Sequence, residues 1–334
     1  MGADKFHLPA LVAHADWSVD ANKRWIAMSL LEGDARYQVQ APQKVGDLGT
    51  LLARLKSTAG SDGSALLGFD FPIGLPYYYA EKCAVDDFLA LLPELGRGEW
   101  VEFYLPAEHP EEISLRRPFY PRRPGKARQA HLVEALGVKA MDDLRRRCEL
   151  AYPGRRAAAP LFWTLGGQQV GKAAISGWRD VLAPGLRSTE FDTVIWPFSG
   201  NLAELLAGAN LVIAETYPGE FYHHLEVTFK VVKQSDGDVS HPRRGKRVQA
   251  SRAANARVLL DWANCHEVVL STELELAIRD GFGPAKDGED AFDAAIGLFG
   301  MLNILLGQRA FREPPDGRLR KIEGWILGQT LGFE

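Results

Sequence analysis

Three short apolar runs in this chain each stop on an acid: LVAHAD ends in Asp16, ALLGFDF carries Asp70 and LVIAET carries Glu215. A carboxylate at the end of a buried strand is costly unless a cation or a set of donors faces it. In an open α/β sheet the crevice outside the carboxyl ends of the strands is where ligands bind. Three strands that each end in an acid are therefore expected to deliver those acids to one place.

The surrounding pattern supports such a sheet. Leu11 to Trp17, Arg24 to Leu31 and Arg36 to Gln40 alternate with polar turns and read as an antiparallel meander. Leu48, Leu51, Leu52 and Leu55 recur at helical spacing within Val45 to Leu55, and a Ser/Gly loop then leads into the strand Ala65 to Phe71. Between about residues 77 and 200 the order loosens. Helical patterns cover Ala80 to Leu92, Ala127 to Leu150 and Val170 to Val181 around a Pro/Arg-rich piece, RRPFYPRRPGKARQ, and we read this region as a largely helical insertion. Alternation resumes with a helix at Asn201 to Leu206, a strand at Leu211 to Thr216, and helices at Arg252 to Asn264, Leu274 to Arg279 and Glu289 to Leu306. The expected fold class is α/β, a mixed sheet with helices packed on it, in a single domain over residues 1–334.

Bulk properties narrow the function classes. The 334 residues carry a formal net charge of −4, so binding to a polyanion has to rest on local basic patches rather than on the whole chain. Cys83, Cys148 and Cys265 form no CxxC pair, which argues against a structural zinc or redox motif. The first residues lack the pattern of a secretory leader or a myristoylation signal, and the apolar stretch Ala294 to Gly307 is too short to span a bilayer. The expectation is a cytoplasmic protein with no membrane partner.

A fourth acidic element lies in GEDAFDAAIGLF, where Asp290 and Asp293 are three residues apart at a helix start and share a face. Hard oxygen ligands without a His or Cys cluster favour Mg²⁺ or Mn²⁺. Several carboxylates can hold two such ions about 4 Å apart for in-line attack on a phosphodiester. Structural roles stand beside this reading: Asp287 as a helix cap, Asp290 as a complement to the helix dipole, and Asp70 as an acceptor within the PIGLP turn.

The order of Asp16 in a first strand, Asp70 in GFDFPIGLP, Glu215 in AETYPGEFY and GEDAFDAAIGLFGML near the end resembles the predicted RNase H-like nucleases grouped as domain-of-unknown-function family 429. The landmarks span nearly the whole chain, with residues 77–200 adding little. The resemblance implies an RNase H-like sheet of three antiparallel and two further parallel strands, with a helix closing an acidic site. A looser likeness runs to the bacterial Holliday junction resolvase, on ETYPGE, RRGKRVQASR and DAFDAA in that order. It implies Asp16, Asp70, Glu215, Asp290 and Asp293 as ligands of Mg²⁺ or Mn²⁺, with Lys246 neutralising a phosphate or developing charge. Two departures stand out: Asp70 occupies a position where the resolvase-type site has Glu, and Glu215 is an extra acid.

Two basic segments are candidates for nucleic-acid contact. Arg116, Arg117, Arg122 and Arg123 lie in the first, beside Phe119 and Tyr120 as possible stacking partners. Arg243, Arg244, Lys246 and Arg247 lie in the second, which continues to Arg252 and Arg257. GGQQVGKA, residues 166–173, fits the spacing of a phosphate loop but has Ala173 where a Ser or Thr would hold Mg²⁺. Trp163, Trp178, Trp196 and Trp325 read as packing residues. The sequence thus points to a metal-dependent nuclease of the two-ion type. An ATP-using phosphotransferase of the actin-like kinase type, or a non-catalytic binder of nucleic acid or a partner, are the alternatives.

Overall fold

The computed structural model describes residues 6–33, 36–152, 156–165, 170–208, 211–229, 245–284, 287–315 and 317–330. Its centre is a mixed sheet of eight strands: β1 (Leu11–Asp16), β2 (Trp25–Glu32), β3 (Arg36–Val39), β4 (Gln43–Lys44), β5 (Ala65–Phe69), β6 (Thr193–Ile195), β7 (Leu211–Glu215) and β8 (Val269–Leu270). The order is β6-β7-β5-β1-β2-β3-β8, with β4 pairing to β2 outside that path. β1, β2 and β3 form the expected antiparallel meander, and β5, β7 and β6 run parallel to β1.

Both faces of the inner strands are covered, which is why β1, β5 and β7 read as continuous apolar runs rather than as alternating ones. Leu11, Ala13, Ala15, Leu67 and Phe69 join one hydrophobic cluster, together with helix α1 (Leu51–Ala59) and much of residues 77–187. Val12, Leu66, Val212 and Ala214 join the other, with helix α2 (Pro218–His224), helix α3 (Ala256–Cys265) and the long helix α4 (Asp287–Leu305).

Helix α4 lies very close to the sheet because glycines remove the atoms that would hold it off. A Cβ on Gly297 would come within 2.1 Å of the buried His14 ring, and one on Gly300 within 2.1 Å of the Phe221 ring. From the other side, Gly68 of β5 makes room for Met301. This packing brings the N-terminal part of α4, with Asp290 and Asp293, over the ends of β1 and β5. Among the described residues, no helix is long and apolar enough to cross a membrane.

The region between Tyr77 and Arg187 is more broken than its periodicity implies. The pattern at Ala80 to Leu92 splits into Tyr77–Lys82 and Phe88–Leu91, separated by Ala84 at φ 55°. Of Ala127 to Leu150 only Gln129–Ala135 is α-helical, ending before Gly137 at φ 64° and followed by 3₁₀ turns. Trp178, Trp196 and Trp325 are fully buried, as packing residues should be.

Candidate active site

Strand register decides where each acid goes. Ala15 pairs with Phe69, so Asp16 and Asp70 stand level at the ends of two neighbouring strands. Alternation places both on the face occupied by α4, the face that Val12 and Leu66 also serve. In β7 the acid arrives one residue early: Phe69 pairs with Glu215, so Thr216 rather than Glu215 is level with Asp70. A one-residue offset turns a side chain to the opposite face.

The contacts follow that geometry. Glu215 is buried, and both its oxygens are claimed by Arg146, through Nη1 to Oε2 and Nη2 to Oε1, each at 2.6 Å. The amide of Ile73 also donates to Oε2, at 2.6 Å. Arg146 is fully buried as well and donates to Glu149 Oε1 and to the carbonyls of Ile73 and Glu323. Burial raises the Glu215 carboxyl above its ordinary range, and the Arg146 charge and hydrogen bonds oppose that shift. Glu215, expected as a metal ligand, borders the cleft while its carboxylate also closes a clamp that ties the end of β7 to the PIGLP turn after β5.

Asp16, Asp70, Asp290 and Asp293 line a single cleft of about 690 Å³, together with Lys246, Glu289 and Tyr222, and Glu215 borders the same cleft. Asp293 is buried at the base and has both oxygens occupied. The Tyr222 hydroxyl donates to Oδ1 and the Lys246 ammonium to Oδ2. Lys246 also lies 3.5 Å from Glu289. Among the described residues, the carboxylates of Asp16, Asp70 and Asp290 have no hydrogen-bond or ion-pair partner, although the Asp70 amide donates to the Ala15 carbonyl.

The electrostatics of the cleft are those of crowded, under-neutralised acids. Burial, then the charges of Asp293, Asp70 and Asp290, push Asp16 well above the usual carboxylate range. Burial and Asp293 push Asp70 up to about 7, and burial with Glu289 and Asp293 pushes Asp290 up to about 6. Burial also raises Asp293, with Lys246 and Tyr222 pulling the other way. For Lys246, burial acts to lower the pKa, but the charge and hydrogen bond of Asp293 and the charges of Asp16 and Glu289 outweigh it, so the ammonium is held firmly protonated. Among the described residues no three acidic, His or Cys side chains stand in a ready-made metal-ligand arrangement.

Two cleft residues were not singled out from sequence. Tyr222 sits on α2, which begins at Pro218; Pro at a first helical position is the signal that could have placed it. Glu289 was passed over in favour of the two Asp residues that follow it. A third residue, Arg252, was counted as part of a basic surface. It is buried, and its guanidinium donates to the carbonyls of Lys246, Gly281 and Gly283 at 2.5, 2.8 and 2.7 Å, tying the backbone at Lys246 to the segment that precedes α4.

The first basic segment is neutralised within the chain. Arg116 pairs with Glu99 at 2.6 Å and lies over the Trp100 ring, Arg117 pairs with Glu112 at 3.1 Å, and Arg122 and Arg123 both approach Glu108. Phe119 and Tyr120 are core residues rather than stacking surfaces, each placed by burial in the first hydrophobic cluster. In the second segment Arg247 approaches Glu289 and Arg257 approaches Asp261, while Arg243 and Arg244 lie outside the described residues. Residues 166–169 of GGQQVGKA also lie outside them, but Lys172 of that phrase lines the acidic cleft.

Comparison with protein families, with curated proteins and with solved structures finds no match to this chain.

Proposed function

We propose that this protein is a divalent-cation-dependent phosphodiester hydrolase with an RNase H-like arrangement of its sheet, acting on DNA or RNA. The observation that carries the proposal is the level placement of Asp16 and Asp70 on adjacent strands, under a helix that adds Asp290 and Asp293 to the same cleft. Four acids with one ammonium among them form a donor set suited to Mg²⁺ or Mn²⁺: hard oxygens, no thiolate, no imidazole. Such a cation, when bound, supplies Lewis acidity and a water of lowered pKa. Asp16, Asp70 and Asp290 are the residues with carboxylates available to hold it.

The chain's own groups do the rest. Lys246, kept protonated by Asp293, presents a positive charge at the cleft where a phosphate would lie. Tyr222 fixes the orientation of Asp293, and Arg252 fixes the backbone from which Lys246 extends. The Arg146–Glu215 clamp holds the turn that follows Asp70.

The test is hydrolysis of labelled single- and double-stranded DNA and RNA by purified protein with Mn²⁺. Cleavage that Asp70→Asn abolishes is expected, and equal activity in wild type and variant would reject the assignment. Lys172 at the cleft favours a second reading, an ATP-using phosphotransferase of the actin-like type. Under that reading ATP with Mg²⁺ raises the melting temperature; under the nuclease reading ATP has no such effect beyond that of Mg²⁺ alone.

A further inference from the structure

We propose that the Thr216 hydroxyl is a substrate contact of the cleft, donating to a non-bridging oxygen of the phosphoryl group that lies across the ends of β7, β5 and β1. The inference rests on the hydrolase reading above and adds an uncharged contact to it. It starts from register. β7, β5 and β1 are neighbours in the sheet. Phe69 pairs with Glu215 and Ala15 pairs with Phe69, so the next residues, Thr216, Asp70 and Asp16, form one row across three strand ends. The ladder continues into that row: the Thr216 amide donates to the Phe69 carbonyl at 3.0 Å, and the Asp70 amide to the Ala15 carbonyl at 3.1 Å. All three residues border the same cleft. On the β7 side the row therefore ends in a hydroxyl rather than an acid.

That hydroxyl is buried and unused. Thr216 is 1% exposed, and among the described residues its Oγ1 has no hydrogen-bond partner. The methyl is turned to the dry floor, where it shares with Met301 of α4 the space above Gly68. A Cβ on Gly68 would come within 2.7 Å of Thr216 Cγ2 and 2.5 Å of Met301 Sδ. With the methyl committed to that side, Oγ1 is left for the cleft. A valine has the same shape and carries no hydroxyl to desolvate, so a strand that reads Leu-Val-Ile-Ala before its acid gains nothing in packing from a threonine here.

A buried hydroxyl that the chain leaves unpaired has to find its partner in what enters the cleft. A hydroxyl can donate to an anionic oxygen without a counter-charge of its own. Lys246 and Lys172 border the cleft and favour an anionic group within it. A phosphoryl oxygen meets these conditions: it accepts, it carries negative charge, and a phosphodiester offers a second non-bridging oxygen to the rest of the cleft.

The experiment compares Thr216→Val, which keeps the shape and removes the hydroxyl, with Thr216→Ser, which keeps the hydroxyl, in the full-length protein. The probes are fluorescein-labelled DNA and RNA oligonucleotides, with cleavage measured in Mn²⁺ and affinity measured by anisotropy with Ca²⁺ in its place. Thr216→Val is expected to lower kcat/KM and affinity about 10- to 100-fold, the effect of losing a hydrogen bond to a charged group, and Thr216→Ser to recover most of that loss. The melting temperature of Thr216→Val without ligand is expected to equal or exceed that of wild type. Unchanged kcat/KM and affinity in Thr216→Val would overturn the contact and leave the hydrolase reading standing. So would equal losses in both variants, or a Thr216→Val protein that melts lower or does not fold, since either would mark the side chain as structural. A wild type that binds without cleaving would overturn the hydrolase reading, and the ratio of affinities then decides the contact. A wild type that neither binds nor cleaves would overturn both.

Discussion

The end of β7 and the ends of β1 and β5 present the same local phrase, an apolar strand closing on an acid, and the fold treats them in opposite ways. Glu215 meets a buried guanidinium with two parallel hydrogen bonds and becomes part of the framework. Asp16 and Asp70, one register step away, make no ion pair among the described residues, have only the more distant charge of Lys246 to oppose them, and open onto a cleft. The contrast teaches that an acid at a strand end is not in itself a site. What separates a ligand from a brace is which face the register gives it and whether a distant cation has been folded in behind it.

The sharpest way to break the comparison is to remove the guanidinium. Arg146→Met leaves Glu215 and Glu149 buried without it and is expected to destabilise the protein by about 3–5 kcal/mol, read from urea denaturation. In the cleft the same logic runs backwards. Asp70→Asn relieves repulsion and is expected to stabilise the cation-free protein by about 0.5–2 kcal/mol, while removing its response to Mn²⁺. A loss of stability in that variant would mean that Asp70 is a brace like Glu215.

pH gives a subtler contrast. Asp70 and Asp290 titrate at about 7 and about 6 in the folded chain, against an ordinary value of 3.8. Because folding raises these values, their contribution to stability is fully present below 3.8 and is lost as pH rises through 6 and 7. The melting temperature of the cation-free protein should fall across that window, and saturating Mg²⁺ should flatten the decline. The smallest effect is expected at the first basic segment. Arg122 and Arg123 approach Glu108 at the surface, so replacing both with Ala should change stability by no more than about 0.5 kcal/mol. Binding to DNA or RNA should be unaltered, in contrast to its loss in Lys246→Met.

Much of the architecture was legible because the central strands announce themselves. β1, β2, β3, β5 and β7 are apolar runs bounded by turn residues, and α4 is a long apolar helix; each lies within a few residues of its expected place. β6 and β8, with three and two residues, are too short to carry a pattern. Two of the helices expected within 77–200 broke where Ala84 and Gly137 take left-handed backbone conformations, which local periodicity does not report, while the one expected at Val170 to Val181 is continuous. In the site, Asp16, Asp70, Glu215, Asp290, Asp293 and Lys246 are all legible in the sequence and border one cleft. The Arg146 partner of Glu215 is not legible, because it lies 69 residues away in a segment with little pattern.

The glycines of α4 carry a further consequence. Gly297 sits one turn beyond Asp293, pressed against the His14 ring, so the gap between the helix and β1 is gauged by the absence of a side chain. A methyl added there would act as a shim, tilting the whole acidic rim from below without touching it. The spacing of the cleft is thus adjustable from its dry floor, and small hydrophobic substitutions far from solvent would be the means of retuning which ion it grips.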